Sequence, residues 1–454
     1  MNLLASTDFP SSKRKWNPYP AYKASGLKWL QKIPVSWDVK RLKFLVTFHG
    51  GGTPSKDNLF YWTGDIPWVS PKDMKSEFVT DSEDHITEDA LASSATRLVQ
   101  KESVLIVVRS GILKHSIPVA INSRDVALNQ DMKALVPAAA IKAGYLKYLI
   151  VGHQDALLVE WRKAGATVES IEHDLLINSY FPVPSTAEQG SIAKFLDRET
   201  AKIDALRAKK ERLIELLEEK RAALITRVVT NGLDPNVRMK DSGVEWLGKI
   251  PAHWEVGQLR RFWSLADCLH KTPEYVVDGI PIVSTTEVKP GRIRLDGPRK
   301  VSQADYDHMT RAGRRPRRGD VIYSRNASLG SGAYIDTDEP FCMGQDVCLI
   351  TSRDRDQLYL SYQLNSPIVL GQIEALAVGS TFDRINVAQI KEFGVACPPR
   401  EEQRAIADFL DRENSKIDEL TAKVREGINK LKEYRTALIS AAVTGKIDVR
   451  EQIS

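Results

Sequence analysis

A stretch of about fifty residues occurs twice, 214 positions apart and without a gap. The first copy carries Pro184, Glu188-Gln189, Ile192-Ala193, Phe195-Leu196-Asp197-Arg198-Glu199 and Lys202-Ile203-Asp204; the second carries Pro398, Glu402-Gln403, Ile406-Ala407, Phe409-Leu410-Asp411-Arg412-Glu413 and Lys416-Ile417-Asp418. Between 183–234 and 397–448, 26 of 52 positions are identical, so the chain is an internal duplication and any fold must be built from two like units. A second echo lies upstream at an offset of 217. Ser25-Gly26, Trp29-Leu30, Lys32-Ile33-Pro34, Trp37, Val39 and Leu42 return as Ser242-Gly243, Trp246-Leu247, Lys249-Ile250-Pro251, Trp254, Val256 and Leu259. The segments between share little beyond Gly165-Ala166-Thr167 against Gly379-Ser380-Thr381 and Gln130-Asp131 against Gln345-Asp346. Constant ends frame variable middles, the layout of a scaffold that holds two separately changeable readers.

The repeated block reads as a long helix. Ser185-Thr186-Ala187-Glu188 has the capping-box form, in which the serine caps the first turn and the glutamate reaches back. Proline replaces the serine at Pro399, where a first helical turn tolerates it. Apolar residues follow in steps of three and four at Ile192, Leu196, Ile203, Leu206, Leu213, Leu217 and Leu224, and at Ile406, Leu410, Ile417, Leu420, Val424, Leu431, Tyr434 and Leu438. This narrow stripe predicts that the two helices pair as an antiparallel coiled coil with pseudo-two-fold symmetry, Glu199 and Glu413 fixing the register. Each helix is expected to run about 40 residues, or about 60 Å, before Asn231-Gly232 or Gly445 ends it.

The middles read as mixed α/β (α+β) domains. Strands are expected at 103–108, 321–324, 66–70 and 180–183, a turn at 50–55, and helices at 87–98, 302–309 and 144–161. The expected division is an N-terminal arm at 1–23, domains at 24–184 and 232–397, helices at 185–231 and 398–445, and a tail at 446–454.

With 454 residues, 42% hydrophobic and 27% charged, each half has enough apolar sequence for its own core. The arm has no apolar run of signal-peptide length and no window is long enough to span a bilayer, so a cytoplasmic protein is expected. Cys268, Cys342, Cys348 and Cys397 all lie in the second half without counterparts in the first, which argues against a disulfide framework. No zinc-ligand spacing joins them to the eight histidines, and no metal is assigned. Net charge is only +5, but 292–318 holds nine Arg or Lys against three Asp, among them Arg311, Arg314, Arg315, Arg317 and Arg318. Such a segment attracts phosphates, although a solvated loop would carry the same charges.

The Trp-Leu-x-x-Ile-Pro-x-x-Trp segments at 29–37 and 246–254, Gly51-Gly52-Thr53-Pro54-Ser55 followed by Gly64-Asp65-Ile66-Pro67-Trp68, and the two Glu-Gln-x-x-Ile-Ala-x-Phe-Leu-Asp helices carry a resemblance to the specificity subunit of type I restriction-modification enzymes. It covers about 24–448; Pro399, Gly427 and the unrepeated arm are the departures. The resemblance implies two target-recognition domains, each reading half of a split, asymmetric DNA site and spaced by the helices. It also implies a non-catalytic chain without cofactors of its own. Adenine methylation would belong to two modification subunits that bind S-adenosylmethionine, and cleavage to restriction subunits that use ATP and Mg2+.

A duplicated reader would contact base edges and phosphates from loops beside its strands. The candidates are Thr53, Ser55, Lys56, Ser70, Lys72, Arg109, Lys114, His115 and Gln130 in the first half. In the second they are Ser284, Lys289, Arg325, Asn326, Gln345, Thr381 and Arg384, with Arg314, Arg315, Arg317 and Arg318 of the basic segment. A plain surface or turn role competes for each.

Enzyme readings find little support. No glycine-rich cofactor loop accompanies Asn17-Pro18-Tyr19-Pro20, which lies in the polar arm, and Gly50-Gly51-Gly52 lacks the spacing of a phosphate loop. Asp73-Met74-Lys75 and Glu287-Val288-Lys289 fall at matching positions and raise a metal-dependent nuclease as an alternative. A second carboxylate is missing, since Asp65 matches Gly279, and a turn after the 66–70 strand accounts for both pairs. A coiled-coil assembly protein without a nucleic-acid role is the other alternative; variable basic middles between fixed frames have no purpose in it.

Overall fold

The computed structural model describes residues 16–163, 165, 167–326, 330–377 and 384–451. The chain divides into two units, Met1–Lys209 with Glu426–Ser454, and Lys210–Arg425. Each unit therefore owns one target-domain sequence and part of both long helices.

In the first unit a five-stranded sheet has the order Val46–Gly50, Met132–Pro137, Val104–Val107, Val119–Asn122, Phe78–Val79. In the second the order is Ser264–Asp267, Val347–Thr351, Val321–Ser324, Gly332–Tyr334, Gly291–Arg292. Both sheets are antiparallel except at the last pair, which is parallel. Val104–Val107 and Val321–Ser324 are buried at every position, which explains why they read as unbroken apolar runs instead of alternating. The helix expected at 144–161 spans Ala143–Trp161, with a break in helical geometry at His153. That expected at 87–98 shrinks to Glu88–Ala92, because Ser93 and Ser94 turn their hydroxyls back onto the carbonyls of Asp89 and Ala90. Gln303–Met309 forms behind its Ser302 cap.

The constant segments make the joints. Tyr22–Leu27 pairs with Leu30–Pro34, and Met239–Asp241 pairs with Lys249–Pro251 in the same register, Tyr22 opposite Pro34 and Met239 opposite Pro251. Beyond each hairpin, Asp38–Arg41 pairs with Tyr180–Val183, and Glu255–Gln258 with Gly394–Cys397. The long helices span Thr186–Asn231 and Arg400–Val443. Ser185 caps the first as expected, its Oγ accepting from Glu188 N at 3.3 Å. The Glu188 carboxylate is instead taken up by Tyr19 Oη at 2.6 Å and Trp37 Nε1 at 3.0 Å, which ties the hairpin segment to the helix start. Gln189 and Gln403, both fully buried, repeat one another. Gln189 accepts from Lys142 N and donates to Pro184 O; Gln403 accepts from Asp356 N and donates to Pro398 O.

Each unit's core is completed by the far end of a long helix. In the first unit Leu438, Ile439, Ala442 and Val443 pack with Trp37, Tyr145 and Leu149; in the second Ile225, Val228 and Val229 pack with Trp254, Tyr359 and Ile406. Tyr145 Oη reaches Pro182 O at 3.0 Å and Val443 O at 3.3 Å, and Tyr359 Oη reaches Ala396 O at 3.1 Å and Val229 O at 3.4 Å. Each of the leucine, isoleucine and valine side chains among these contributes roughly 1.5–3 kcal/mol by leaving water.

The helices run antiparallel. Arg435 Nε meets Asp204 Oδ2 at 3.2 Å within the first unit, and Arg221 pairs with Asp418 within the second. The two residue numbers add to the same value in both pairs, the mark of a single antiparallel register. The seam differs from the apolar stripe. Ile192, Leu196, Ile203, Leu217, Ile406, Leu410, Ile417, Val424 and Leu438 are buried, and Leu224 and Leu431 are partly so. Leu206, Leu213, Leu420 and Tyr434 are 46, 39, 44 and 37% exposed and lie outside it. The covered positions step by four and three through Ile203, Arg207, Lys210, Ile214, Leu217, Arg221 and Leu224, and through Leu410, Asn414, Ile417, Thr421, Val424, Ile428, Leu431, Arg435 and Leu438. A strict heptad period selects these places even where they are polar, and arginine fills them by burying its stem while its head meets an aspartate. Glu199 pairs with Arg198 and Lys202 of its own helix and Glu413 with Lys416, while Asp204–Arg435 and Asp418–Arg221 are pairs that cross between the helices.

Candidate DNA interface

In the first unit the loop after Val46–Gly50 lies directly on the turn before Met132–Pro137. Gly52 N donates to Leu128 O at 2.9 Å, and Trp68 Nε1 donates to Gly52 O at 2.9 Å. A Cβ on Gly51 would fall 1.8 Å from Asn129 O, and one on Gly52 would fall 2.7 Å from Thr96 N, so backbone contact demands both glycines. This approach brings the Thr53 hydroxyl onto the Gln130 side-chain carbonyl. Next to it Asp131 accepts from Arg109 Nε at 2.5 Å. Thr53, Ser55, Lys56, Arg109, Lys114, His115 and Gln130 are all exposed. Trp62 Nε1 donates to Ser55 O at 3.2 Å and anchors the loop that exposes Leu59 and Phe60.

The second unit repeats the arrangement with different residues. Gln345 Nε2 donates to Thr272 Oγ1 at 2.8 Å. Asp346 receives Arg384 Nη2 at 2.6 Å and Asn326 Nδ2 at 3.4 Å. By strand register, Asn326 occupies the place of Arg109 and Arg325 that of the buried Val108, and both of the latter donate their backbone N–H to the carbonyl of the turn aspartate. Asp131, Asp346 and Thr272 escaped sequence reasoning, although the repeated Gln-Asp pair pointed at the first two.

Several candidates already hold partners within the chain. Ser70 is buried and its Oγ donates to Asp73 Oδ2 at 2.7 Å, while Ser284 N donates to Glu287 Oε2 at 2.8 Å. The carboxylates of the Asp73 and Glu287 pairs thus cap equivalent turns, and Asp73 also accepts from Glu83 N at 3.0 Å. Lys72 sits between Asp84 and Glu83 at 2.9 and 3.0 Å, and those hydrogen bonds hold its ammonium above the usual lysine range. Arg325 is 3% exposed and spans Asp267 at 3.0 Å and Asp346 at 3.9 Å, so it is an internal tie and not a surface contact. Arg314 Nε donates to Asp267 O at 2.9 Å. Arg318 pairs with Asp338 at 3.0 Å, and Arg315 lies over the Tyr306 ring at 6.0 Å. Arg315, Arg317 and Arg318 are exposed, as are Lys289 and Arg384; Thr381 lies outside the described residues.

Asp267, Cys268 and His270 bring ligand atoms within 4.8 Å of one another, but Asp267 already carries the Arg325 guanidinium and burial pushes the Cys268 thiol up. That chemistry suits a charge tie and not a cation. All four cysteines are free and buried. Among the described residues, no helix is long and apolar enough to cross a membrane.

A family model described as the type I restriction modification DNA specificity domain matches residues 34–216 and 299–430. The chain belongs to this family of type I restriction-modification specificity subunits. It is 41% identical over 165 residues to the type I restriction enzyme EcoR124I/EcoR124II specificity subunit of Escherichia coli, covering 36% of this chain and 40% of that protein. It is 31% identical over 191 residues to the MjaIX specificity subunit of Methanocaldococcus jannaschii, covering 41% of this chain and 42% of the relative. The matches therefore span only about two fifths of these two relatives. The MjaVIII specificity subunit of the same organism matches at 22% over 433 residues, 92% of this chain and 95% of the relative. Among solved structures, a chain from a study of complex assembly and conformational transition of the type I R-M system superposes with a TM-score of 0.71 at 15% identity, covering 91% of this chain and 99% of that one. The HsdS subunit from Thermoanaerobacter tengcongensis gives 0.51 at 14%, with coverage of 91% and 98%. These likenesses establish the fold.

Proposed function

We propose that this chain is a non-catalytic DNA reader that recognises a bipartite, asymmetric site and directs adenine methylation and DNA cleavage by partner subunits. One observation carries the reading. The same sheet occurs twice, and each copy presents a Thr–Gln contact beside an Asp-centred polar cluster from loops of unrelated sequence. Two different readers on one repeated scaffold suit two different half-sequences. Thr53, Ser55, Lys56, Arg109, Lys114, His115 and Gln130 form the first contact surface; Lys289, Asn326, Gln345 and Arg384 belong to the second, and Arg315, Arg317 and Arg318 supply phosphate contacts. S-adenosylmethionine belongs to two modification subunits, and ATP with Mg2+ to restriction subunits. The nuclease alternative loses its ground because its carboxylates cap turns.

The test is filter binding by the chain, with and without its modification partner, at two salt concentrations. Sequence-preferring, salt-sensitive binding is expected, and no methyl transfer by the chain alone. Arg315→Glu with Arg317→Glu should weaken binding to every sequence and lower the salt slope by roughly 0.9 per lost phosphate contact. Absence of DNA binding would favour an assembly protein, and sustained adenine methylation by the purified chain would overturn the non-catalytic assignment.

A further inference from the structure

Gln130 and Gln345 occupy one place in the fold. Each is the exposed residue just before the turn aspartate, which leads into the second strand of its sheet. Each side-chain amide is held by a threonine from the facing loop. Thr53 reaches Gln130 three residues after its strand ends, and Thr272 reaches Gln345 five residues after its own. Two loops of different length and sequence thus each bring a threonine hydroxyl to the amide, which accepts through its oxygen in Gln130 and donates through its nitrogen in Gln345.

The surroundings indicate what these amides face. Asp131 and Asp346 stand beside them, each neutralised by a guanidinium, so no net charge at the amide draws a phosphate onto it. The guanidiniums of Arg109 and Arg384 lie to the side, on those carboxylates. A neutral amide flanked by such neutralised pairs suits the donors and acceptors of base edges better than phosphate. A glutamine amide has two hydrogens on nitrogen and two lone pairs on oxygen, so one bond to threonine leaves a donor and an acceptor in one plane. Adenine presents the matching N7 acceptor and N6 donor in the major groove.

We propose that Gln130 and Gln345 are the paired specificity-determining side chains, each reading one adenine in its own half-site, and that Thr53 and Thr272 are positioning residues that set the amide plane. This rests on the DNA-reading function proposed above. The experiment measures methylation by the full chain with its modification partner on a panel in which every base pair of both half-sites is varied in turn. Gln130→Ala should relax discrimination at one A·T pair of one half-site by roughly 5- to 150-fold and leave the other half-site unchanged. Gln345→Ala should do the same in the other half-site. Thr53→Val and Thr272→Val should relax the same positions to a smaller extent, and Thr→Ser should restore them. A uniform loss at all positions, or an unchanged profile, would overturn the proposal; the untouched half-site reports whether the variant is folded. If the unaltered complex shows no sequence preference at all, the DNA-reading function itself fails.

Discussion

The end of the second long helix should tolerate even one methyl group poorly, and the end of the first should tolerate it better. Gly445 ends its helix at φ +70 and Gly232 at φ +73, so alanine at either pays a left-handed backbone cost of roughly 1–2 kcal/mol. The surroundings then separate them. A Cβ at Gly445 would lie 2.4 Å from both Cδ and Cγ of Pro34 and 3.3 Å from Trp37, on a rigid ring inside the frame hairpin. One at Gly232 would lie 3.1 Å from Glu402 Oε1 and 3.2 Å from Trp254, and the carboxylate can swing aside. Overpacking of the first kind adds roughly 1–3 kcal/mol. Gly445→Ala should therefore cost about 2–5 kcal/mol and Gly232→Ala about 1–2 kcal/mol. Because two units need not unfold together, the measurement is hydrogen exchange read on peptides around 438–449 and 225–235. In Gly445→Ala, protection should fall in the first set and in the packed neighbours of Trp37, and remain in the second. Equal costs at the two sites, or less than about 0.5 kcal/mol at Gly445, would show that the Pro34–Trp37 joint does not hold the helix end.

Replacing residues 46–180 with the same region of a relative should change one half of the methylated sequence and leave the other intact, as methylation mapping would show; a change in both halves would defeat the modular reading. One heptad inserted between Leu206 and Leu213, matched by one between Leu420 and Gly427, adds about 10 Å of helix and should lengthen the unspecific gap in the methylated site by roughly one to three base pairs; activity confined to the original gap would remove the helices' role as ruler. Burial lowers the His153 pKa to about 4 from 6.5, with its Nδ1–H donating to Leu149 O at 3.1 Å and its ring 4.6 Å from Trp29. The unfolded chain then binds the extra proton between these values, so stability is full above pH 6.5 and is lost towards pH 4, by at most about 3 kcal/mol. His153→Phe should flatten that acid limb in chemical denaturation, and an unchanged limb would assign it to other groups.

The sequence made the frame readable and left the readers opaque. The Ser185 cap, strands at 180–183 and 321–324 and both long helices follow from local chemistry: proline and glycine at ends, capping oxygens, apolar runs; the two hairpins showed in the sequence only as a repeated motif. The helix seam departs from the apolar stripe at Leu206, Leu213, Leu420 and Tyr434 because the heptad period, and not apolarity, decides which positions are covered. Arg207, Arg221, Thr421 and Arg435 hold the heptad places instead, and nothing in their side chains advertises this. Ser70, Lys72 and Arg325 looked like contact residues because of type and loop position. Ser70 and Arg325 are taken up inside the fold and Lys72 in an exposed ion pair, each on a carboxylate whose distance along the chain ranges from three residues, as for Ser70, to 58, as for Arg325 and Asp267. Partnership of that kind is a property of the folded chain and has no local signature.

The frame and the variable domains differ in what they can accept. Glu188, Gln189, Gln403, Tyr145 and Tyr359 bond backbone or ring groups from segments distant in sequence, so substituting any of them leaves several buried partners unmatched at once. Thr53 and Thr272 show the opposite case, since loops of different length bring a hydroxyl to the same amide. A glutamine held by whichever threonine the loop supplies allows the loop to change while the amide stays fixed relative to the sheet. That freedom in the loops, combined with intolerance in the joints, accounts for a chain whose ends repeat at half identity while its middles share almost nothing.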